Sequence, residues 1–213
     1  MPEPANGTAV TAAILRESPL ARFELPRRAA GAPGAAGVIA RERAFLGHLN
    51  LRGDADDPRF AAAVGSALGV ALPVAPNTVA EAPDAGLVVC WLGPDEWLVV
   101  CAGERGASIE GALRAALVGA RSAVTDLSGG QTVIALRGAA VREVLAKGCP
   151  LDLHPRAFDA GRCAQSLLAK APILIRQVDR EPSFEVVVRR SFAGYLWTWL
   201  DDAAAEYGFA VMP

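Results

Sequence analysis

Apolar and polar positions recur along this chain with two periods, and the switches between them mark out its elements. Around Leu46 to Leu51, Leu49 and Leu51 fall on one face and His48 and Asn50 on the other, the period of a half-buried strand. Asp57-Pro58 then predicts a helix start, because the carboxylate caps free amides and proline suits the first helical position. Phe60, Val64 and Leu68 recur at i, i+4 and i+8, and Gly69 ends the helix. After a loop carrying Pro73, Pro76 and Pro83, the apolar runs Leu87 to Leu92 and Trp97 to Cys101 predict a hairpin around Gly93-Pro94-Asp95-Glu96. Ser108 is the expected cap of a helix with Ile109, Leu113, Ala116 and Leu117 inward, and Ser122 to Leu127 follows as a strand.

The second half repeats this order. Thr132, Ile134 and Leu136 alternate as a strand, and a short helix after Gly138 uses Val141, Val144 and Leu145 before Gly148 stops it. Cys163 to Ala169, Ile173 to Val178, and the alternating Phe184, Val186 and Val188 predict three more strands. Ser191 is the expected cap of a helix with Phe192, Tyr195, Leu196, Trp199, Leu200, Ala203 and Tyr207 inward; Trp197 falls off that stripe. Gly208 stops it, and Phe209 to Met212 is a candidate edge strand. Leu-Arg-Gly closes a strand in each half, at Leu51-Arg52-Gly53 and Leu136-Arg137-Gly138. The expected fold class is therefore α+β: two tandem βαββαβ-like (ferredoxin-like) modules with antiparallel or mixed sheets, over 38–128 and 129–213. Residues 1–37, which include the Ala-, Gly- and Pro-rich Arg27 to Gly37, are expected to be an extended arm and linker.

Composition removes several classes of function. The chain has 213 residues, 52% hydrophobic, with 43 alanines and 19 arginines against two lysines. Its mean hydropathy is +0.28, yet the longest apolar run, Ala85 to Leu92, is far short of the roughly 20 residues a spanning helix needs. A net charge of −2 without a basic tract leaves no footprint for nucleic acid. The start reads as no signal peptide, and four cysteines without a Cys-x-x-Cys pair fit buried thiols in the cytoplasm rather than a metal site.

Individual motifs yield little chemistry. Asp95-Glu96 are neighbours on a hairpin, so they point to opposite faces and do not flank one bond. Ser128-Gly129-Gly130 lacks the ending of a phosphate loop, and Gly65-Ser66-Ala67-Leu68-Gly69 misses the nucleophile elbow by one position. Asp152-Leu153-His154 has no nucleophile beside it, and Cys149 follows a helix end, where the dipole disfavours a thiolate. No catalytic, cofactor or metal residue is assigned.

An ordered set of motifs nevertheless resembles one family. Thr125-Asp126-Leu127-Ser128, Leu136-Arg137-Gly138, Lys147-Gly148-Cys149-Pro150-Leu151-Asp152-Leu153 and Phe158 are similar to the gamma subunits of heterotetrameric sarcosine oxidase. So are Ser18-Pro19-Leu20, Leu92-Gly93-Pro94-Asp95-Glu96-Trp97-Leu98 and Arg190-Ser191-Phe192-Ala193 with Trp197-Thr198-Trp199-Leu200. The resemblance implies a complex that demethylates sarcosine to glycine, releasing hydrogen peroxide and formaldehyde, or methylene-tetrahydrofolate when folate is present. It implies alpha, beta and delta subunits as partners, with alpha the expected contact, and places FAD, FMN, NAD and tetrahydrofolate in the other subunits. It also implies a fold like the folate-binding aminomethyltransferase, the T-protein of glycine cleavage. The T-protein's carboxylate pair has no counterpart in Ala169-Lys170-Ala171-Pro172-Ile173-Leu174-Ile175. Lys147-Gly148-Cys149 is similar to folate-dependent iron–sulfur maintenance proteins but departs from them at Pro150-Leu151-Asp152.

The expected role is a non-catalytic subunit that stabilises the flavoprotein subunits. Its candidate interface residues are Pro19, Leu20 and Phe23 of the arm, Trp97, Trp197, and Arg189 and Arg190, a pair suited to a partner carboxylate. Two alternatives stay open: a stand-alone folate-binding one-carbon protein, and a small-ligand regulatory module built from paired α+β domains.

Overall fold

A computed structural model of the chain describes residues 15–29 and 36–212. They form two β-sheets packed face to face, each with its helices on the outer side. Chain order is α1 (Leu25–Ala29), β1 (Val38–Arg43), β2 (Gly47–Arg52), α2 (Pro58–Leu68), β3 (Val79–Ala82), β4 (Leu87–Gly93), β5 (Glu96–Cys101), α3 (Gly106–Ala116) and β6 (Ala123–Asp126). The second half continues with β7 (Gln131–Arg137), α4 (Val141–Ala146), β8 (Cys163–Leu168), β9 (Ala171–Gln177), β10 (Ser183–Arg189), α5 (Arg190–Ala203) and β11 (Phe209–Val211).

Strand order is β3-β4-β5-β2-β6 in one sheet and β11-β1-β7-β10-β9-β8 in the other. Read from the β8 edge, the second sheet runs β8-β9-β10-β7-β1, so each strand takes the place of a counterpart in the first. β2 and β7, the strands that end in Leu-Arg-Gly, hold equivalent positions. The place of β6 is filled in the second sheet by β1, which comes from the other end of the chain. β11 then adds outside β1, and this β1–β11 pair is parallel.

The expected segment 38–128 therefore does not close on itself: its first strand belongs to the other sheet. Arg41, Glu42 and Arg43 interrupt any alternation in β1; Arg41 is exposed, but Glu42 and Arg43 are engaged. Ser18 and Thr132 donate to the Glu42 carboxylate, and Arg43 pairs with Glu185. β3 was likewise expected as loop, and it is held by pairing to β4 rather than by its own apolar pattern.

Helix ends follow their caps only in part. Asp57 accepts from the Arg59 amide at 2.9 Å, and Gly69 adopts the left-handed conformation at φ 71°. Ser108 and Ser191, by contrast, sit inside α3 and α5, which begin at Gly106 and Arg190. The inward stripe of α5 is Ala193, Leu196, Trp197, Leu200 and Ala203, not the one counted through Tyr195 and Trp199. In α3, Ala116 is exposed while Ile109, Leu113 and Leu117 are buried.

The described part of the arm is not extended. A turn at Ala21–Phe23 leads through Glu24, at φ 48°, into α1. Leu20 and Leu25 are buried against the core of the six-stranded sheet, with Phe23 beside them. The expectations for residues 1–14 and 30–35 lie outside the described residues.

Candidate functional site

The two sheets meet through one face of each, and most of the buried charge lies there. Alternation sends Leu49 and Leu51 to the helix side of β2 and His48 and Asn50 to the seam between the sheets. Cys90, Leu98, Val100, Val133, Cys163, Leu174 and Val187 form the apolar part of that seam. Arg176 on β9 crosses it: Nε donates to Glu185 at 2.8 Å within its own sheet, and Nη1 donates to Glu81 on β3 at 2.6 Å. Burial opposes the charge on Arg176, but Glu185 and Glu81 outweigh it and hold the guanidinium firmly protonated. A cation held this way ties two sheets together and has no proton to exchange near neutral pH.

His48, Asp126 and Ser128 lie together and superficially compose a triad. The hydrogen bonds say otherwise. Ser128 Oγ accepts from the His48 backbone amide at 3.0 Å and donates to Asp126 at 2.5 Å. The hydroxyl and amide of Ser128 push the Asp126 carboxyl below its usual range, so it is a poor base. The His48 ring is fully buried and neither ring nitrogen makes a well-formed hydrogen bond. This cluster clasps the ends of β2 and β6 rather than activating a nucleophile.

Burial lowers the His48 pKa from 6.5 to about 4; nearby Asp126 and the Leu46 backbone offset this only partly, and Arg43 adds to it. Between those two values the unfolded chain holds a proton on His48 and the folded chain does not, so stability falls as pH drops through this window. The full contribution is about 3 kcal/mol. Between pH 7 and pH 4 the unfolding free energy of wild type should fall by up to about 3 kcal/mol more than that of His48→Gln; equal falls would contradict the assignment.

The remaining candidates are also engaged structurally. Arg52 pairs with Asp95 at 3.1 Å, and Glu96 accepts from Asn50 at 2.8 Å, so the acidic hairpin tip is neutralised. Asp152 accepts from the His154 amide in a local turn. Gly148 lets the Trp199 ring approach; a Cβ there would lie 2.6 Å from it, which gives Lys147-Gly148-Cys149 a packing role. All four cysteines are buried and unbridged. Among the described residues, no group of three or more His, Cys, Asp or Glu could hold a metal, and no helix is long and apolar enough to cross a membrane.

Two surface depressions stand out among the described residues. A groove of about 1020 Å³ lies at the β4–β5 turn, walled by Arg52, Val74, Trp91, Asp95 and Arg121. A notch of about 600 Å³ lies between the arm and the start of α5, walled by Glu17, Pro19, Arg22, Arg189 and Arg190. At the notch, the Ser18 hydroxyl is spent on the Glu42 carboxylate.

Comparison with known proteins settles the family. Residues 52–206 match the family described as sarcosine oxidase, gamma subunit. The chain is 38% identical over 206 residues to the sarcosine oxidase subunit gamma of Corynebacterium sp. (strain U-96), covering 97% of this chain and 98% of that one. It is 37% identical over 203 residues to the Arthrobacter sp. subunit gamma, covering 95% and 97%. This chain belongs to the sarcosine oxidase gamma subunit family.

The fold agrees with that membership. A chain of the heterotetrameric sarcosine oxidase from Corynebacterium sp. U-96, in complex with pyrrole 2-carboxylate, superposes with a TM-score of 0.81 at 36% identity, covering 93% of this chain and 99% of that chain. The glycine cleavage aminomethyltransferase T from Bartonella henselae gives a TM-score of 0.62 at 14% identity, covering 88% of this chain and 50% of that chain, a likeness of fold alone.

Within this gamma-family chain, several expected interface residues face inward. Trp97 is fully buried, with Nε1 donating to the Pro73 carbonyl at 2.8 Å and its ring against Phe60. Trp197 is fully buried between Phe23 and Phe209. Leu20 is a core residue too. These three candidates are buried within their own chain. Arg189 and Arg190 are exposed, while Pro19 and Phe23 are half-buried. Arg190 donates to the Glu17 carbonyl at 2.9 Å, holding the arm against α5. The seam network of Arg176, Glu185, Glu81 and Arg43 was missed; only the misfit of charges at strand positions hinted at it.

Proposed function

We propose that this chain is the gamma-type subunit of a heterotetrameric sarcosine oxidase, with no active site of its own, and that it stabilises the flavoprotein subunits. The observation that carries this is family membership over nearly the whole length, joined to a seam whose charged residues are all spent on one another. The assembly would demethylate sarcosine to glycine, with FAD, FMN, NAD and tetrahydrofolate held by the alpha, beta and delta subunits in the cytoplasm. The alpha contact would use the rim of the arm notch, walled by Arg189, Arg190 and Pro19, with Arg189 exposed and Arg190 also holding the arm. The repeated strand order supports reading the two halves as tandem ferredoxin-like modules over 38–128 and 129–213, with β1 exchanged between them.

Purified alone, the chain should be colourless, oxidise no sarcosine, and bind tetrahydrofolate more weakly than about 10⁻⁵ M, roughly −7 kcal/mol. Flavin absorbance or sarcosine-dependent peroxide from the lone chain would overturn the reading, as would saturable folate quenching of Trp91, half-exposed in the larger groove.

A further inference from the structure

The seam contains two thiols that the packing alone does not require to be neighbours. Cys90 lies on β4 and Cys163 on β8, strands of different sheets, and both side chains point into the same buried cluster. Cys163 Sγ lies 3.4 Å from the Thr78 carbonyl and 3.5 Å from the carbonyl of Trp91, the residue after Cys90. Val79 is the strand partner of Cys90, and Thr78 bridges to Arg162, so the backbones on either side of the two cysteines are already drawn together. Cys101 and Cys149 sit in the two other core clusters, away from this pair.

We infer that Cys90 and Cys163 form an oxidisable dithiol, closing to a disulfide that joins the two sheets when the protein meets peroxide. The Cys163 sulfur attacks one peroxide oxygen, becoming a sulfenic acid and releasing water. The Cys90 sulfur then attacks the Cys163 sulfur and expels a second water. Two thiols and one hydrogen peroxide give one disulfide and two waters, a balanced two-electron exchange. The hydrogen bond between the two thiols pushes Cys90 up, as burial also does, and holds Cys163 down, so Cys163 is the more readily ionised sulfur and the one that meets peroxide first.

Access comes through the edges. β3 and β8 are the terminal strands of their sheets, joined at Thr78–Arg162 and by two backbone bonds, Val79 to Gly161 at 2.9 Å and Cys163 to Asn77 at 3.0 Å. Such edges open at lower cost than core strands and admit a molecule little larger than water. A bridge between residues 90 and 163 then closes a long loop, the case in which a cross-link constrains the unfolded chain most. The choice of peroxide as oxidant rests on the proposed function; the pairing of the thiols does not.

The test uses the full chain, treated with hydrogen peroxide, denatured in N-ethylmaleimide and digested without reductant. Expected results are a fall from four titratable thiols to two, a Cys90–Cys163 cross-linked peptide, a higher melting temperature, and reversal of all three by dithiothreitol. Cys163→Ser should lose the cross-link while Cys149→Ser keeps it. Four surviving thiols, a bridge to Cys101 or Cys149, or sulfinic acid at Cys163 without a bridge would each overturn the inference. The wild-type thiol count decides the matter even if a variant fails to fold. Because no partner subunit is needed, a negative result here leaves the subunit assignment standing.

Discussion

Arg176→Met is expected to destabilise the chain by about 3–5 kcal/mol, the cost of removing one partner from a buried ion pair. Arg176 and Glu185 are both buried, and the substitution leaves Glu185 and Glu81 facing an apolar side chain. Arg43 still reaches Glu185 from β1, so the loss should fall toward the lower end of that range. Replacing Glu185 as well, in Arg176→Met with Glu185→Leu, should recover much of the stability, because the uncompensated carboxylate rather than the missing attraction sets the cost. Equilibrium denaturation of the single and double variants at neutral pH checks both statements. A single variant within 1 kcal/mol of wild type would remove the network from the account of how the sheets dock.

Trp197→Ala is expected to cost a similar amount, about 3–5 kcal/mol, through lost burial and the cavity left among Phe23, Phe209 and the sheet. Among the described residues the indole nitrogen has no partner, so Trp197→Phe should lose far less, within about 1.5 kcal/mol, by discarding an unsatisfied donor together with part of the ring. Trp197 is also where the arm rests. Hydrogen exchange at the amides of Phe23 and Glu24, which bond back to Leu20 and Ala21, should accelerate in the alanine variant before exchange in β9 and β10 changes. Simultaneous loss of protection in arm and sheet would mean the arm is an integral part of the core.

Local periodicity in the sequence made most of the strands legible, because each buries one face against helices within its own half. Leu49 with Leu51, Ile134 with Leu136, and Phe184 with Val186 all turn to the helix side, as their alternation requires. Leu-Arg-Gly, at the ends of β2 and β7, marks strands that hold equivalent positions in their two sheets. β1 was not, because its charges are satisfied by residues far along the chain: Arg43 by Glu185, Glu42 by Thr132. The stripe of α5 was misjudged for a related reason. Counting aromatics favours Tyr195 and Trp199, whereas the small Ala193 lets the helix sit close to the sheet and turns Trp197 inward. The same rotation removed Trp197 from the surface, and Trp97 followed once its indole found the Pro73 carbonyl.

The large apolar side chains exposed among the described residues, Leu15, Phe45, Val74, Val118, Leu167 and Tyr195, do not line the arm notch. The arm is tied to α5 by Arg190 and Glu17 and by Arg28 with Asp201 at 2.9 Å, so the notch it borders is a formed feature of the folded chain. Exposed arginines beside such a notch suit a partner's carboxylates better than an apolar face would.

Co-expression of the chain with the alpha, beta and delta subunits, followed by native mass spectrometry of the purified yellow complex, tests the central claim most directly. One copy of this chain is expected in each complex, with an unstable or poorly recovered flavoprotein when it is omitted. Full recovery of a stable, sarcosine-oxidising complex that leaves this chain behind as a monomer would contradict it.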